Sequence, residues 1–482
     1  MSGHGSVYPR FWERLQEYGD RPAIIGEQAR IVVTYRQLAD LTGRGAAQLE
    51  GARKRLACLA MRNDIDGILC YLSLLRSGYA VHLSGPQVTT TLNSEFINRY
   101  RPDLMIPGTH RQHPAAIGLD GHRHYDPAGY RDAGDFFGHR LLLRNNETPT
   151  DNIYPDLALL LCTSGSTGSS RTVRLSYENL AANAWQIAAA LDVEPTEKVI
   201  LSLPLQHTYG LSVLHSALSA GACLVIGKPT VMDPGFWDIC RTNDVTTLPT
   251  VPAMLKFMQS IAMEKIPLPS LRKITVSGTA MDESTRSWMV SQIISKRIQV
   301  YSMYGMTEAT ARIAVLPADE FPIRPASVGR PMPHGKLHIL PSGEIVYCGP
   351  NVMLGYANDR SDLERADLPG GVLNTGDLGC VDEAGNLYIT GRLTRICKLL
   401  GMRIDLTDME SQFAHIGDVA VVSNDEVIRI FHTQQDESQV DAAAIQLAER
   451  WRIPRAALIL KRVRAIPRTD SGKIRYPELW KL

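Results

Sequence analysis

The sequence predicts an α/β protein: a large N-terminal domain of parallel-rich sheets with helices over residues 1–393, a small strand-rich subdomain within it at about 325–390, and a small α+β C-terminal domain over 394–482. Three observations carry this. Strand-like and helix-like runs alternate from Val7 to Tyr301, the pattern of helices laid on a mostly parallel sheet. From Pro325 to Tyr388 the texture changes to short β-like runs punctuated by Gly343, Gly349, Gly355, Gly376 and Gly385. At 482 residues the chain also exceeds one ordinary core, and the stretch from Thr394 to Leu482 is long enough to fold compactly.

In chain order, helical pieces are expected at Phe11 to Tyr18, Tyr35 to Leu49 and Ile65 to Ser77, with strands at Leu56 to Met61 and Tyr79 to Leu83. The stretch Gln112 to Asn146 has weak periodicity and reads as surface loop. After a helix at Tyr177 to Leu191, strands at Val199, Cys223, Val245, Leu271 and Ile298 alternate with helices near Tyr209, Phe236, Ala253 and Glu283 to Ile294. The tail reads as helix Thr407 to Ala414, strands at Val419 and Val427, helix Val440 to Trp451 and a strand at Ala457. No internal repeat is evident.

Charge narrows the partners. Lysine plus arginine number 51 against 50 acids, so no broad field exists for nucleic acid or an anionic membrane, and a small or locally recognised ligand is expected. The eight cysteines include no C-x-x-C pair, which argues against zinc or a disulfide framework and for free thiols. Met1 to Asp20 lacks an apolar core and no run is long enough to cross a bilayer, so the expected location is cytoplasmic.

The apolar run Leu159-Leu160-Leu161-Cys162 ends in Thr163-Ser164-Gly165-Ser166-Thr167-Gly168-Ser169-Ser170-Arg171, which reads as a buried strand entering a tight loop ahead of a helix. Gly165 and Gly168 allow successive N–H groups to point into one concavity, and the hydroxyls of Thr163, Ser164, Ser166 and Thr167 add donors for phosphate oxygens. It is not the Walker loop, because Gly168 is followed by Ser169 rather than lysine.

Four further strings follow in order: Tyr304-Gly305-Met306-Thr307-Glu308; Asn374-Thr375-Gly376-Asp377; Gly391-Arg392 with Lys398, Gly401 and Arg403; and Pro467-Arg468-Thr469-Asp470-Ser471-Gly472-Lys473-Ile474-Arg475. Each alone is an ordinary turn. Together with the glycine loop they resemble the signature motifs of the adenylate-forming superfamily of acyl- and aryl-CoA synthetases, nonribosomal-peptide adenylation domains and firefly luciferase, over the chain from about Tyr154 to its end.

The resemblance implies an AMP-binding large domain and a mobile C-terminal lid, with ATP and Mg²⁺ as cofactors. It implies that the loop from Thr163 to Gly168 and Arg171 hold phosphates, that Glu308 beside Thr307 is the magnesium ligand, and that Tyr304 next to Gly305 packs on adenine. Asp377 would accept from both ribose hydroxyls, and Arg392 would be a second ribose or phosphate contact. Lys473 would neutralise charge as the acid attacks the α-phosphate, a job for a positioned point charge. Arg171 stands where the family usually has lysine, Ser170 where it has proline, and Thr394-Arg395 at the hinge where it carries Asp or Lys and then an acid. The segment between Leu406 and Ala465 is short for the family.

The string Leu203 to Leu211 resembles the acyl-pocket element, so His207, Tyr209 and Gly210 are expected to border the carboxylate site, as are Ser277, Gly278 and Thr279. His207 reads equally as a packed structural histidine. Amino-acid-activating members place an Asp where Thr208 stands, so a fatty, aryl or other non-amino acid is the expected substrate. The acceptor would be coenzyme A, or the phosphopantetheine of a separate carrier protein, with Gly401 along its path. Two alternatives stand beside this ligase: a catalytically degenerate relative that binds nucleotide or acyl ligand, and an adenylate-only enzyme.

Overall fold

The computed structural model describes the chain except residues 1–6, 27–30, 50, 52, 86–90, 108–128, 146–151, 164–170, 228–229, 367–369, 400–401, 414–415, 424–426, 451–452 and 470–471. Two large sheets form the frame. In the first, six parallel strands run in the order Gln299–Tyr304, Lys273–Val276, Thr247–Thr250, Lys198–Leu201, Cys223–Ile226 and Pro22–Ile25, with antiparallel strands Ala314–Leu316 and Val32–Thr34 beside the two ends. In the second, Leu157–Thr163, Ala80–Ser84, Leu56–Ala60 and Leu104–Ile106 are parallel, and antiparallel strands extend both sides.

Helices Tyr35–Leu49, Ile65–Arg76, Tyr177–Ala190 and Thr208–Ala220 fill the space between the sheets, so one apolar cluster draws on Leu59 and Leu159 from one sheet and Leu201 and Leu224 from the other. Their ends are set locally. Asp64 accepts from Gly67 N at 2.8 Å, Ser176 and Asn179 form a reciprocal capping box, and Gly221 closes its helix at φ 75°, where a Cβ would strike the Tyr18 ring.

The short β runs after Pro325 pair antiparallel as Lys336–Ile339, Glu344–Cys348, Val372–Val381 and Leu387–Arg392. Beyond them a ribbon, Ile396–Leu399 with Met402–Asp405, leads to the three-stranded sheet Val419–Ser423, Ile428–His432, Leu458–Arg462 and the helix Ser438–Arg450. This tail has its own apolar core around Met409, Phe413, Val421, Ile430 and Leu447.

Four local expectations are corrected. Arg171–Ser176 is a strand antiparallel to Leu157–Thr163, so the glycine loop joins two strands of a hairpin and the helix begins only at Tyr177. The second strand hid because Arg174 looks like a surface residue; it is fully buried and donates to the carbonyls of Leu354 and Arg365 at 2.8 and 2.6 Å. The supposed loop before Asn146 contains the hairpin Tyr130–Phe136 with His139–Arg144, whose outward face is polar. Phe11 to Tyr18 forms two 3₁₀ turns rather than one helix. The helix from Glu283 keeps α geometry only to Trp288, then widens to π over Met289–Ile293.

Among the described residues no helix is long and apolar enough to cross a membrane. None of the eight cysteines is in a disulfide, and Cys162 and Cys380 are exposed.

Candidate active site

Asp377 lies in the strand Val372–Val381 and is buried, 7% exposed. One carboxylate oxygen accepts from the Tyr304 hydroxyl at 2.6 Å and the other from Arg392 Nε at 2.5 Å. A buried carboxylate so held from two sides keeps a fixed orientation while each oxygen retains a further lone pair. Burial, reinforced by the Asp377 charge, pushes the Tyr304 hydroxyl well above its usual pKa, so it stays a donor. Burial works to lower the Arg392 pKa, and the neighbouring Asp377 outweighs it, so the net shift is upward.

Glu308 sits in the 3₁₀ turn Thr307–Ala309 and is 8% exposed. Its Oε1 accepts from the Tyr356 hydroxyl at 2.9 Å. The Arg171 guanidinium lies 5.2 Å from the centre of the Tyr356 ring, so the residue closing the glycine loop and the carboxylate meet through one tyrosine. Gly305 is required here, because a Cβ would fall onto the carbonyl of Ala311.

The chain then turns through left-handed backbone at Thr310 (φ 58°) and Ala311 (φ 148°), a conformation that costs non-glycine residues about 1 to 3 kcal/mol each. Asn351, fully buried, holds it: the Asn351 carbonyl accepts from the Thr310 hydroxyl at 2.6 Å and its amide donates to the carbonyls of Ala309 and Arg312, both at 2.8 Å. The clamp fixes Glu308 on one side of the turn and Arg312 on the other.

The acyl-pocket string opens the helix Thr208–Ala220 with half-buried His207 as its N-cap. Thr208 Oγ1 meets Thr307 Oγ1 at 2.8 Å, which ties this element to the Glu308 turn. A Cβ on Gly210 would strike the carbonyls of Leu203 and Pro204, so the helix start is tight against the chain before it. The Tyr209 hydroxyl donates to the Thr275 carbonyl at 3.0 Å, and Ser277-Gly278-Thr279 follow from the end of that strand, with Gly278 at φ 113°.

Lys473, far along the chain, faces the same cleft. Its turn is held by Gly472 N to Thr469 O and Thr469 N to Lys473 O, both 2.8 Å. The residue is exposed by area, yet enough protein surrounds the amine that lost hydration is the first cause lowering its pKa. Arg392 lowers it further, while Glu308 and Asp377 pull it back up. The amine has no hydrogen-bond or ion-pair partner among the described residues.

The structure therefore brings Tyr304, Thr307, Glu308, Asp377, Arg392 and Lys473 to one cleft, with Arg171 joined to it through Tyr356 and Thr208 through Thr307. Ser164, Gly165, Ser166, Thr167, Gly168 and Gly401 lie outside the described residues, and Thr163 is described only as the last residue of its strand. Sequence reasoning missed Tyr356, Asn351 and Arg312. Gly355 beside Tyr356 was the only local hint.

Two parallel-cored sheets, a third antiparallel sheet carrying Asp377 and a tail that presents a lysine to the cleft define the class of adenylate-forming α/β enzymes. The chain belongs to the AMP-binding enzyme family, whose profile matches residues 11–357. An indoleacetate–CoA ligase of Aromatoleum aromaticum is 30% identical over 370 residues, 71% of each chain. A 2-succinylbenzoate–CoA ligase of Staphylococcus epidermidis is 25% identical over 486 residues, 96% of each chain. The o-succinylbenzoate CoA synthetase of Bacillus subtilis, solved with its acyl-adenylate intermediate, shares the fold with a TM-score of 0.75 at 21% identity over 98% of each chain.

Proposed function

We infer that this protein is an acid–thiol ligase that uses ATP and Mg²⁺ to activate a carboxylic acid and passes the acyl group to a thiol. In the first step a carboxylate oxygen bonds to the α-phosphorus of ATP and pyrophosphate leaves. In the second, a thiolate bonds to the acyl carbon of the adenylate and AMP leaves. The observation that carries this reading is the convergence of Lys473 with Glu308, Asp377 and Arg392, four groups from three distant parts of the chain.

Each residue has a task its chemistry suits. Asp377, anchored by Tyr304 and Arg392, offers spare acceptors to vicinal ribose hydroxyls. Glu308 has one oxygen engaged by Tyr356, which leaves acceptor capacity for a hard cation beside the Thr307 hydroxyl, so the donor set fits Mg²⁺. That ion would supply neutralisation of phosphate charge. Lys473, whose amine has no ion-pair partner among the described residues, would place positive charge where negative charge develops. The hydroxyl and glycine loop from Thr163 to Gly168, with Arg171, would hold the departing phosphates, and His207 and Ser277 to Thr279 would border the carboxylate.

Names of the relatives support coenzyme A as the thiol and an aryl-type acid as the substrate. A carrier-protein thiol is the competing acceptor, and the cytoplasm is the proposed location. Residues 394–482 would act as the lid, with residues 1–393 as its base. The test is carboxylate-dependent pyrophosphate exchange over an acid panel, followed by mass spectrometry of products with coenzyme A and with carrier protein. Exchange should appear with some acid and fall about 10³-fold in Lys473→Ala. Exchange unchanged in that variant refutes the assigned role, and AMP release without thioester favours the adenylate-only alternative.

A further inference from the structure

Residues 351–356 hold the Glu308 turn at three points. Asn351 clamps the backbone that follows it, Met353 N donates to the Glu308 carbonyl at 2.9 Å, and the Tyr356 hydroxyl donates to Glu308 Oε1 at 2.9 Å. The first two contacts act on the backbone. The third acts on the carboxylate alone, so it sets where the charge points without being needed to form the turn.

The placement of Tyr356 is built into the sheet. Its strand, Gly355–Ala357, pairs antiparallel with Arg171–Ser176, and Tyr356 lies opposite Val173. Arg171, two residues from Val173, is therefore a diagonal neighbour on the same face, within reach of an aromatic ring. Its guanidinium lies 5.2 Å from the ring centre and contacts the hydroxyl. Buried Arg174 fastens the approach to the strand: Leu354 N donates to the Arg174 carbonyl at 2.9 Å, and Arg174 Nη2 donates to the Leu354 carbonyl at 2.8 Å. Burial, then the Glu308 charge beside it, pushes the Tyr356 hydroxyl up to about 12, so at neutral pH it keeps its proton and donates.

A carboxylate in this cleft has rivals for its attention. The Glu308 charge is felt by both Arg392 and Lys473, whose pKa values it raises. Arg392 is already paired with Asp377, whereas Lys473 has no ion-pair partner, and no ion pair joins Glu308 to either among the described residues. Left to itself, a carboxylate that is 8% exposed would gain by turning onto a cation that lacks a counter-charge. That turn would remove two working groups at once, because Glu308 would be lost to a metal and Lys473 to the α-phosphate. The Tyr356 hydroxyl, entering from the strand beside the glycine loop, holds the carboxylate without neutralising it.

We propose that Tyr356 is a positioning residue whose hydroxyl keeps the Glu308 carboxylate turned toward the Arg171 side of the cleft and off Lys473, so that it is free to take the divalent cation that ATP carries. This rests on the ligase reading and deepens it, by assigning the group that keeps the metal ligand and the lysine apart before the nucleotide arrives. Arg171 packs on the ring and steadies it; Tyr356 itself touches neither nucleotide nor metal.

The test separates the metal's share of nucleotide binding from the rest. Calorimetry on the full chain measures the affinity for the non-cleavable α,β-methylene analogue of ATP with Mg²⁺ and with EDTA, and the ratio of the two is the metal factor. Tyr356→Phe keeps the ring beside Arg171 and deletes only the donor. It should lower the metal factor about 10-fold, the scale of one hydrogen bond to a charged group, and leave the affinity in EDTA unchanged. In a Glu308→Gln chain, which has already lost the carboxylate, adding Tyr356→Phe should lower the factor no further. In pyrophosphate exchange the Mg²⁺ concentration for half-maximal rate should rise about 10-fold in Tyr356→Phe, with the rate restored at saturating Mg²⁺. A wild-type metal factor in folded Tyr356→Phe overturns the proposal, as does an equal loss in EDTA or an undiminished further loss in the Glu308→Gln chain. Should Tyr356→Phe fail to fold, Tyr356→Met, a long side chain without a donor, takes its place in the same measurements. Intact nucleotide binding without exchange on any acid would sink the ligase reading alone; no binding of the analogue by the wild type, with or without Mg²⁺, would overturn both.

Discussion

Lys273 and Lys473 are the same residue in two regions, and the contrast separates structure from chemistry. Lys273 lies inside the large domain, where its amine donates to Glu197 at 2.6 Å and to the carbonyls of Leu191 and Asp192 at 2.6 and 3.2 Å, while Thr247 engages the other Glu197 oxygen at 2.6 Å. Every polar atom of that knot has a partner. Lys473 stands in the cleft with its hydration reduced and its amine unpaired among the described residues. A cation whose needs are met holds a fold together; one whose needs are left open is available to a ligand.

The largest expected effect is on chemistry. Lys473→Ala should lower acid-dependent pyrophosphate exchange by about 10³-fold, the upper scale for removing one positioned charge, with the urea midpoint unchanged. Lys273→Met should do the reverse: about 3 to 5 kcal/mol of stability lost in urea titration, because Glu197 is left buried and unpaired, while the folded fraction keeps its exchange activity. If the interior substitution abolished exchange in folded protein, or the tail substitution unfolded the chain, the contrast would break.

Asp377→Asn should raise the KM for ATP about 10- to 100-fold, since an amide offers one acceptor in place of two and leaves Arg392 without its counter-charge. The interior should also be the acid-sensitive part. His82 and His215 are buried, and lost hydration lowers their pKa values to about 4 and about 3. Both are depressed, so their stabilising contribution is complete above the unfolded value near 6.5 and is lost as pH falls through the window down to those values. At pH 5 each should account for about 2 kcal/mol, read as a drop in urea midpoint from pH 7. On the alkaline side the lowered Lys473 pKa predicts the smallest effect: exchange should decline with a midpoint below the ordinary lysine value of 10.5, and that limb should disappear in Lys473→Ala.

Much of the candidate site was legible because its residues are fixed by short-range needs. Gly305 must be glycine to pass the Ala311 carbonyl, and Gly472 sits at φ 81° beside Lys473, so the strings around them keep a recognisable spacing. The parallel strands were legible for a similar reason: Leu157–Thr163 is apolar on both faces and reads as buried. What escaped were contacts made across sequence. Tyr356 reaches Glu308 only because its strand pairs with Arg171–Ser176, a pairing hidden by the buried Arg174. Arg312 reads as one more surface arginine until the helix bearing Tyr209 is laid against it.

Arg395 had been a departure from the family pattern, and its surroundings give that departure a mechanical meaning. Its guanidinium bonds Glu410 at 2.8 Å and the Val421 carbonyl at 2.6 Å, and lies 3.9 Å from the ring centre of Tyr476, three residues beyond Lys473. Tyr476 in turn donates to Glu410 at 2.9 Å. The base of the tail and the arm bearing its lysine are thus bolted into a single lever. Were the chain to turn just upstream, at Leu393 and Thr394, this knot would carry the base of the tail and the lysine arm together.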